Sequence, residues 1–102
     1  FADIGNEFFI KPNVSNKYAH NAHIYYLVIS DSINRQELLS FLKRNGVSCL
    51  FHYVPLHSSN YYTAKFDKKT DNLLITNFVS DRIIRLPIWI GMNQNMINRI
   101  YE

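Results

Sequence analysis

The chain has 102 residues, of which 47% are hydrophobic, and this apolar content excludes a disordered polypeptide and suffices for a single core. The single cysteine, Cys49, excludes a disulfide framework, predicts a small buried apolar side chain and favours a reducing, cytoplasmic setting. The net charge of +3 comes from scattered basic residues, which indicates a solvated surface rather than a phosphate-binding stripe. No apolar run approaches the roughly 20 residues that span a bilayer.

The first third of the chain predicts an extended segment followed by a strand. Residues 1–20 are mixed in composition, and Pro12 disfavours a helix, so we expect a connecting segment with one short strand at Phe8-Phe9-Ile10. His23 to Ser30 is rich in β-branched and aromatic residues, which predicts a strand.

A helix is predicted over residues 35–45. Asn34 is a suitable N-cap, and Glu37 stands three residues further on, as in a capping box. Gly46 supplies a left-handed stop. The apolar stripe of this helix consists of Leu38, Leu39, Phe41 and Leu42.

The next segment predicts a strand, a loop and a helical turn. Val47 to Phe51 is apolar and predicts a second strand, and His52 to His57 forms the loop after it. Residues 60–66 can form a helical turn, and residues 67–72 predict a polar, charged loop.

The last third predicts a helix, a strand and another helix. Apolar spacing favours a helix over residues 76–84, and Arg85 to Ile88 predicts an edge strand because Pro87 cannot donate to a central ladder. The final helix begins after Asn93 and meets no stop signal before Glu102. We therefore expect the chain to be part of a longer polypeptide, incomplete at its C-terminus.

These elements predict an α+β fold. Strand–helix–strand followed by helix–strand–helix fits a two-layer sandwich, in which a small, mostly antiparallel sheet is covered on one face by the helices at 35–45 and 76–84.

The segment from Phe51 to His57 is the candidate functional element, because imidazole and phenol groups at a strand end can hydrogen-bond and stack at a pocket edge. His57 lies beyond Pro55, where we expect exposure and a ligand contact. Side chains alternate along a strand, so one of His52 and Tyr53 points inward. The sequence leaves open which of the two is core and which faces a pocket.

Other polar residues favour structural roles. His23 at a strand start predicts a hydrogen-bonded structural histidine, and Arg85 predicts an ion pair more than a phosphate contact. His20 and His23 are three residues apart and His52 and His57 five apart. These spacings and the lack of CxxC or HExxH motifs predict no metal site.

Three segments in order resemble one family: Asn21 to Tyr26, Phe51 to His57, and Arg85 to Ile88. They are similar to motifs of the DegT-type sugar-nucleotide aminotransferases, which are fold-type-I, pyridoxal-phosphate (PLP) enzymes. The likeness is greatest to transaminases that make 4-amino-4,6-dideoxyhexoses on a thymidine diphosphate carrier. It covers about residues 20–102, and the element from His52 to His57 is its most specific part.

The resemblance implies that residues 21–102 are the C-terminal small domain and that residues 1–20 connect it to a large domain. That large domain carries PLP on its lysine, and no lysine of this chain matches the cofactor motif. The resemblance therefore implies no catalytic and no cofactor-binding residue here, and an inactive fragment. It leaves His57, His52 and Tyr53 as residues that bind the nucleotide-sugar substrate.

The implied reaction moves an amino group from an amino acid, glutamate, to a nucleotide-linked 4-keto-6-deoxyhexose such as dTDP-4-keto-6-deoxyglucose. Polysaccharide biosynthesis in the cytoplasm and a homodimer follow from the same resemblance, with no nucleic-acid or membrane partner. The alternative is a stand-alone α+β binding module for RNA or a small regulatory ligand. The aromatic content of 15% suits RNA stacking, but the RNP1-like run of such modules is absent.

Overall fold

The computed structural model describes residues 7–66 and 73–102, so the predicted loop at 67–72 lies outside the described residues. Four strands are formed in this part of the chain: β1 (Phe9–Ile10), β2 (Tyr25–Ile29), β3 (Leu50–Phe51) and β4 (Ile83–Leu86). The α-helices are α1 (Arg35–Arg44), α2 (Asn60–Lys65), α3 (Leu74–Arg82) and α4 (Gln94–Tyr101), and a 3-10 turn covers Leu56–Ser58.

The strands form one antiparallel sheet in the order β1-β2-β4-β3. Arg85 in β4 lies opposite Tyr26 in β2 on one side and Leu50 in β3 on the other. The α+β class, with a small antiparallel sheet and helices packed on it, is confirmed. The short strand predicted in residues 1–20 is β1, which pairs with the end of β2.

The predicted edge strand at Arg85–Ile88 is wrong in position and in kind. β4 begins at Ile83 and occupies a central place between β2 and β3. Pro87 follows its last residue, so the missing N–H of the proline lies outside the ladder and places no restriction on it. The helix predicted up to residue 84 ends at Arg82 instead, because Ile83 and Ile84 are buried strand residues.

The main core lies on one face of this sheet, while the cross-strand pair of Val28 and Ile83 is buried on the other face, which borders the cleft beside α3. The buried cluster of the main core consists of Leu27, Ile29, Val47, Cys49, Ile84 and Leu86. Partly buried leucines of α1 and Ile100 of α4 pack against it. Cys49 is buried, as predicted, while only the end of the predicted strand at Val47–Phe51 pairs with β4.

The ends of α1 follow the predicted signals. The side-chain oxygen of Asn34 accepts hydrogen bonds from the backbone N–H groups of Gln36 (2.9 Å) and Glu37 (3.2 Å). Gly46 has φ of +80°, a conformation that side chains with a Cβ rarely adopt.

Two arginine contacts connect α3 to earlier parts of the same polypeptide. Arg35 donates from Nη1 to the backbone carbonyl of Ser80 (2.5 Å), and Arg82 forms an ion pair with Asp31. These contacts hold α3 beside the start of α1 and the turn that precedes it. No helix in the described parts of the chain is long and apolar enough to cross a bilayer.

Candidate functional site

Backbone and hydroxyl hydrogen bonds hold the segment that follows β3 in a tight turn. The N–H and Oγ of Ser58 both donate to the carbonyl of Pro55, at 3.1 Å each. Ser59 donates from Oγ to the carbonyl of Leu56 (2.7 Å) and accepts from the N–H of Tyr62 (3.2 Å), which caps α2. The polar aromatic residues of this segment are therefore carried on a well-supported backbone.

His52 occupies the border between two clefts. One cleft, of about 310 Å³, is shared with His20, Asn21, His23, Ile24, Tyr26 and Ile83. The other, of about 460 Å³, lies between the loop and α3, and residues from Tyr53 to Pro55 and from Ile75 to Ser80 line it. The Nδ1 atom of His52 is enclosed and has no hydrogen-bond partner within the described chain. A buried polar atom without a partner is costly, so it marks a place where a ligand atom or a water fits.

Tyr53 is the exposed member of the adjacent pair, with 76% of its surface accessible, while His52 is half-buried. The alternative that Tyr53 belongs to the core is thereby excluded. Its ring meets that of His52 edge to face, with centroids 5.1 Å apart and planes at 68°. The Arg85 guanidinium lies 5.6 Å from the Tyr53 ring centroid, within cation–π range. Tyr53 therefore offers an accessible ring face with a cation beside it.

His57 stands apart from this pair. It lies in the 3-10 turn, and its Nε2 is 2.8 Å from the side-chain oxygen of Asn77 in the first turn of α3. Neither cleft that His52 lines includes His57. The structure thus joins His52, Tyr53 and Arg85 into one group and places His57 with Asn77 in a second group on the same loop.

The histidines upstream of β2 belong to a local turn. His20 accepts the N–H of Ala22 at Nδ1 (2.8 Å), Asn21 accepts the N–H of His23 (3.2 Å), and Ala22 has φ of +51°. In residues 7–66 and 73–102 no group of three or more His, Cys, Asp or Glu is placed to hold a metal ion.

A PLP anchor would need a lysine amine inside a cleft. Lys17, Lys43 and Lys65 are exposed, and Lys65 Nζ contacts the hydroxyl of Tyr61 (3.0 Å). None of the clefts around His52 is lined by a lysine. Lys68 and Lys69 lie outside the described residues.

Two residues that contact these side chains were not predicted from the sequence to do so. Asn77 lies in an apolar run, and the sequence prediction used only the apolar residues around it. The isolated amide in that run was the feature that could have indicated a contact. Arg85 was predicted as an ion-pairing residue, and its contact with Tyr53 depends on a pairing of strands that no local pattern reveals.

Comparison with known proteins shows similarity to aminotransferases. The profile of the DegT/DnrJ/EryC1/StrS aminotransferase family matches residues 1–102. The UDP-4-amino-4-deoxy-L-arabinose–oxoglutarate aminotransferase of Shewanella sediminis is 30% identical over 101 residues, covering 89% of this chain and 26% of the relative. The dTDP-4-amino-4,6-dideoxy-D-glucose transaminase of Escherichia coli is 26% identical over 91 residues, covering 86% of this chain and 24% of the relative.

Solved structures show the same fold. A sugar aminotransferase of Micromonospora echinospora superposes with a TM-score of 0.77 at 13% identity, covering 97% of this chain and 24% of that one. The Helicobacter pylori aminotransferase involved in the biosynthesis of pseudoaminic acid gives a TM-score of 0.69 at 21% identity, covering 76% and 21%. The chain spans about a quarter of the length of the relatives it matches. Because the family profile matches along the entire sequence, the chain belongs to the DegT/DnrJ/EryC1/StrS aminotransferase family.

Proposed function

We propose that this chain is the C-terminal small domain of a PLP-dependent sugar-nucleotide aminotransferase, and that its part in the reaction is to bind the nucleotide-linked keto sugar. Residues 21–102 form that domain, and residues 1–20 lead into it from a large domain. The observation that carries the proposal is the supported turn after β3, which presents His52, Tyr53 and His57 in a chain of this family.

The side chains of the turn suit a charged sugar nucleotide. The accessible ring of Tyr53 can stack on a sugar or pyrimidine, and Arg85 adds positive charge beside it. The enclosed Nδ1 of His52 offers a hydrogen bond that no described protein group uses. Pro55 limits the freedom of the turn, which lowers the entropic cost of ordering it around a substrate.

In this proposal the cofactor lies outside this domain, since in the described residues no lysine lines either cleft beside His52. PLP, held by the large domain, supplies the electron sink for amino transfer. The exposed apolar run of Ile88 (43% accessible), Trp89 (49%) and Ile90 (103%) suits a surface that the rest of a longer polypeptide covers.

The substrate class follows from the relatives' names and from the chemistry of the turn. Both named relatives are transaminases of 4-amino sugars, one on UDP and one on dTDP, which supports a nucleotide-linked 4-keto sugar such as a 4-keto-6-deoxyhexose. The name of one of them includes oxoglutarate, the keto acid that corresponds to glutamate, which supports glutamate as amino donor. The homodimer and the cytoplasmic location stay predictions.

The test uses the complete polypeptide and measures the two half-reactions separately. We expect His57→Ala to weaken binding of the keto-sugar nucleotide about three- to tenfold, because a hydrogen bond between neutral groups is worth about 0.5–1.5 kcal/mol. The half-reaction with glutamate should stay unchanged, since it does not use this turn. Leu56→Ala is the matched control, because Leu56 is an exposed neighbour in the same 3-10 turn. Undiminished nucleotide-sugar binding by His57→Ala would show that the turn is structural.

A further inference from the structure

The hydrogen bond between His57 and Asn77 links two parts of the chain that are 20 residues apart in sequence. Within the described residues, the His57 ring forms this one hydrogen bond, through its Nε2 atom. The Nδ1 atom is left for another partner.

Further hydrogen bonds fix the backbone around both residues of this bond. The N–H of Asn77 donates to the carbonyl of Leu73 (2.8 Å), and its own carbonyl accepts from the hydroxyl of Ser80 (3.0 Å). Arg35 in turn holds the carbonyl of Ser80. On the other side, the bonds of Ser58 and Ser59 to the preceding carbonyls fix the turn. A ring held between two fixed elements keeps one orientation.

The acceptor on Asn77 also selects a tautomer. An amide oxygen can only accept, so Nε2 of His57 carries the proton, and Nδ1 of the neutral ring is then an acceptor. Asn77 is uncharged, so it orients the ring without adding charge to the site. An acceptor at Nδ1 fits a hydroxyl group and repels a phosphate oxygen, which is also an acceptor.

We propose that Asn77 is a positioning residue that holds His57 with Nδ1 free to accept a hydrogen bond from a hydroxyl of the substrate's hexose. His57 then contacts the sugar and not the diphosphate. The inference rests on the proposed function for the substrate, while the assignment of the tautomer stands on the geometry alone.

The tautomer is tested directly by long-range proton–nitrogen NMR on the complete polypeptide labelled with ¹⁵N-histidine. With the ring in its neutral form, we expect His57 to show a protonated Nε2 and a bare Nδ1. Asn77→Leu should give averaged signals of both tautomers, and Asn95→Leu, an exposed change on α4, should leave the parent pattern. A parent pattern with the proton on Nδ1, or one that Asn77→Leu does not alter, overturns the inference.

The ligand contact is tested with two substitutions of the histidine itself. In asparagine the amide oxygen is one bond from Cγ, like Nδ1, whereas in glutamine the amide group is one bond further out, like Nε2. We therefore expect His57→Asn to keep hexose binding better than His57→Gln, which retains only the group that faces Asn77.

Calorimetry on the complete polypeptide compares each nucleoside diphosphate, UDP and dTDP, with its 4-keto-6-deoxyglucose conjugate. Asn77→Leu should lower the affinity for the conjugate about three- to tenfold, which corresponds to one neutral hydrogen bond. The affinity for the free nucleoside diphosphate should not change. An equal loss for both ligands would place His57 on the diphosphate and defeat the inference. A loss with His57→Ala that Asn77→Leu does not share defeats the role of Asn77 and leaves the proposed function standing. If the parent binds neither conjugate, the hexose assignment falls together with the proposed function.

Discussion

Replacing His52 with phenylalanine should stabilise the fold and at the same time weaken binding of the sugar nucleotide. The Nδ1 atom of His52 is enclosed without a hydrogen-bond partner in the described chain, and an unpaired buried polar atom costs about 1–3 kcal/mol. Phenylalanine removes that atom and keeps an aromatic ring for the edge contact with Tyr53 at 5.1 Å. Its slightly larger ring offsets part of the gain, so the net increase in the free energy of unfolding should be about 1 kcal/mol.

Urea unfolding followed by the fluorescence of Trp89, the single tryptophan, measures this change. For a domain of this size, about 1 kcal/mol corresponds to a rise in melting temperature of roughly 4–8 °C. Tyr53→Phe is the control, because it removes a polar group from an exposed side chain of the same contact and should leave the unfolding free energy nearly unchanged.

Calorimetry on the complete polypeptide supplies the other half of the test. His52→Phe should lower the affinity for the keto-sugar nucleotide, because the ring nitrogen offered to the ligand is gone. The reasoning is refuted if His52→Phe destabilises the chain by about 1 kcal/mol or more, since Nδ1 would then be hydrogen-bonded in the folded protein, for instance to an ordered water. It is also refuted if the variant gains stability without losing affinity.

Two further predictions concern the fold. Gly46→Ala and Gly91→Ala should each lose about 1–2 kcal/mol of stability in urea unfolding, because φ is +80° and +88° at these positions. An added Cβ at Gly46 would also meet the Arg99 guanidinium at 3.3 Å and at Gly91 would meet nothing, so a loss at Gly46 alone would assign the cost to Arg99 instead of the backbone. Burial raises the pKa of the Cys49 thiol, so the folded chain keeps the proton to a higher pH than the unfolded chain. The corresponding stability is complete below the unfolded pKa of about 8.5 and is lost as the pH rises through the folded value, so the urea midpoint should fall more steeply above that pH in the parent than in Cys49→Ala; equal slopes would contradict the assignment.

The elements that local chemistry determines could be predicted from the sequence. Asn34 and Gly46 mark the two ends of α1, and they are predictable because capping depends on residues within one turn. The strand at Tyr25–Ile29 follows from its β-branched and aromatic composition. The position of β4 in the sheet could not be predicted, because strand order depends on contacts distant in sequence. Pro87 was therefore taken as a residue of an edge strand when it only follows a central one.

The candidate site divides in the same way. His52, Tyr53 and His57 could be proposed from the sequence because they lie within one short segment. The exposure expected for His57 beyond Pro55 is not found, since the residue is half-buried and contacts Asn77. The partners Asn77 and Arg85 come from α3 and β4, so only the folded chain shows them.

The two histidines of this segment have complementary hydrogen-bonding states, and the difference comes from those distant elements. His57 has one nitrogen occupied by an amide of α3, which fixes the ring and defines the group it can offer. His52 has its enclosed nitrogen unoccupied by any described residue, which leaves a hydrogen bond for a ligand at a cost to the fold. A residue kept only for packing gains nothing from such an atom, whereas a residue that contacts substrate does. The unfavourable state of His52 and the ordered state of His57 therefore support a binding role for the turn on independent grounds, one energetic and one geometric.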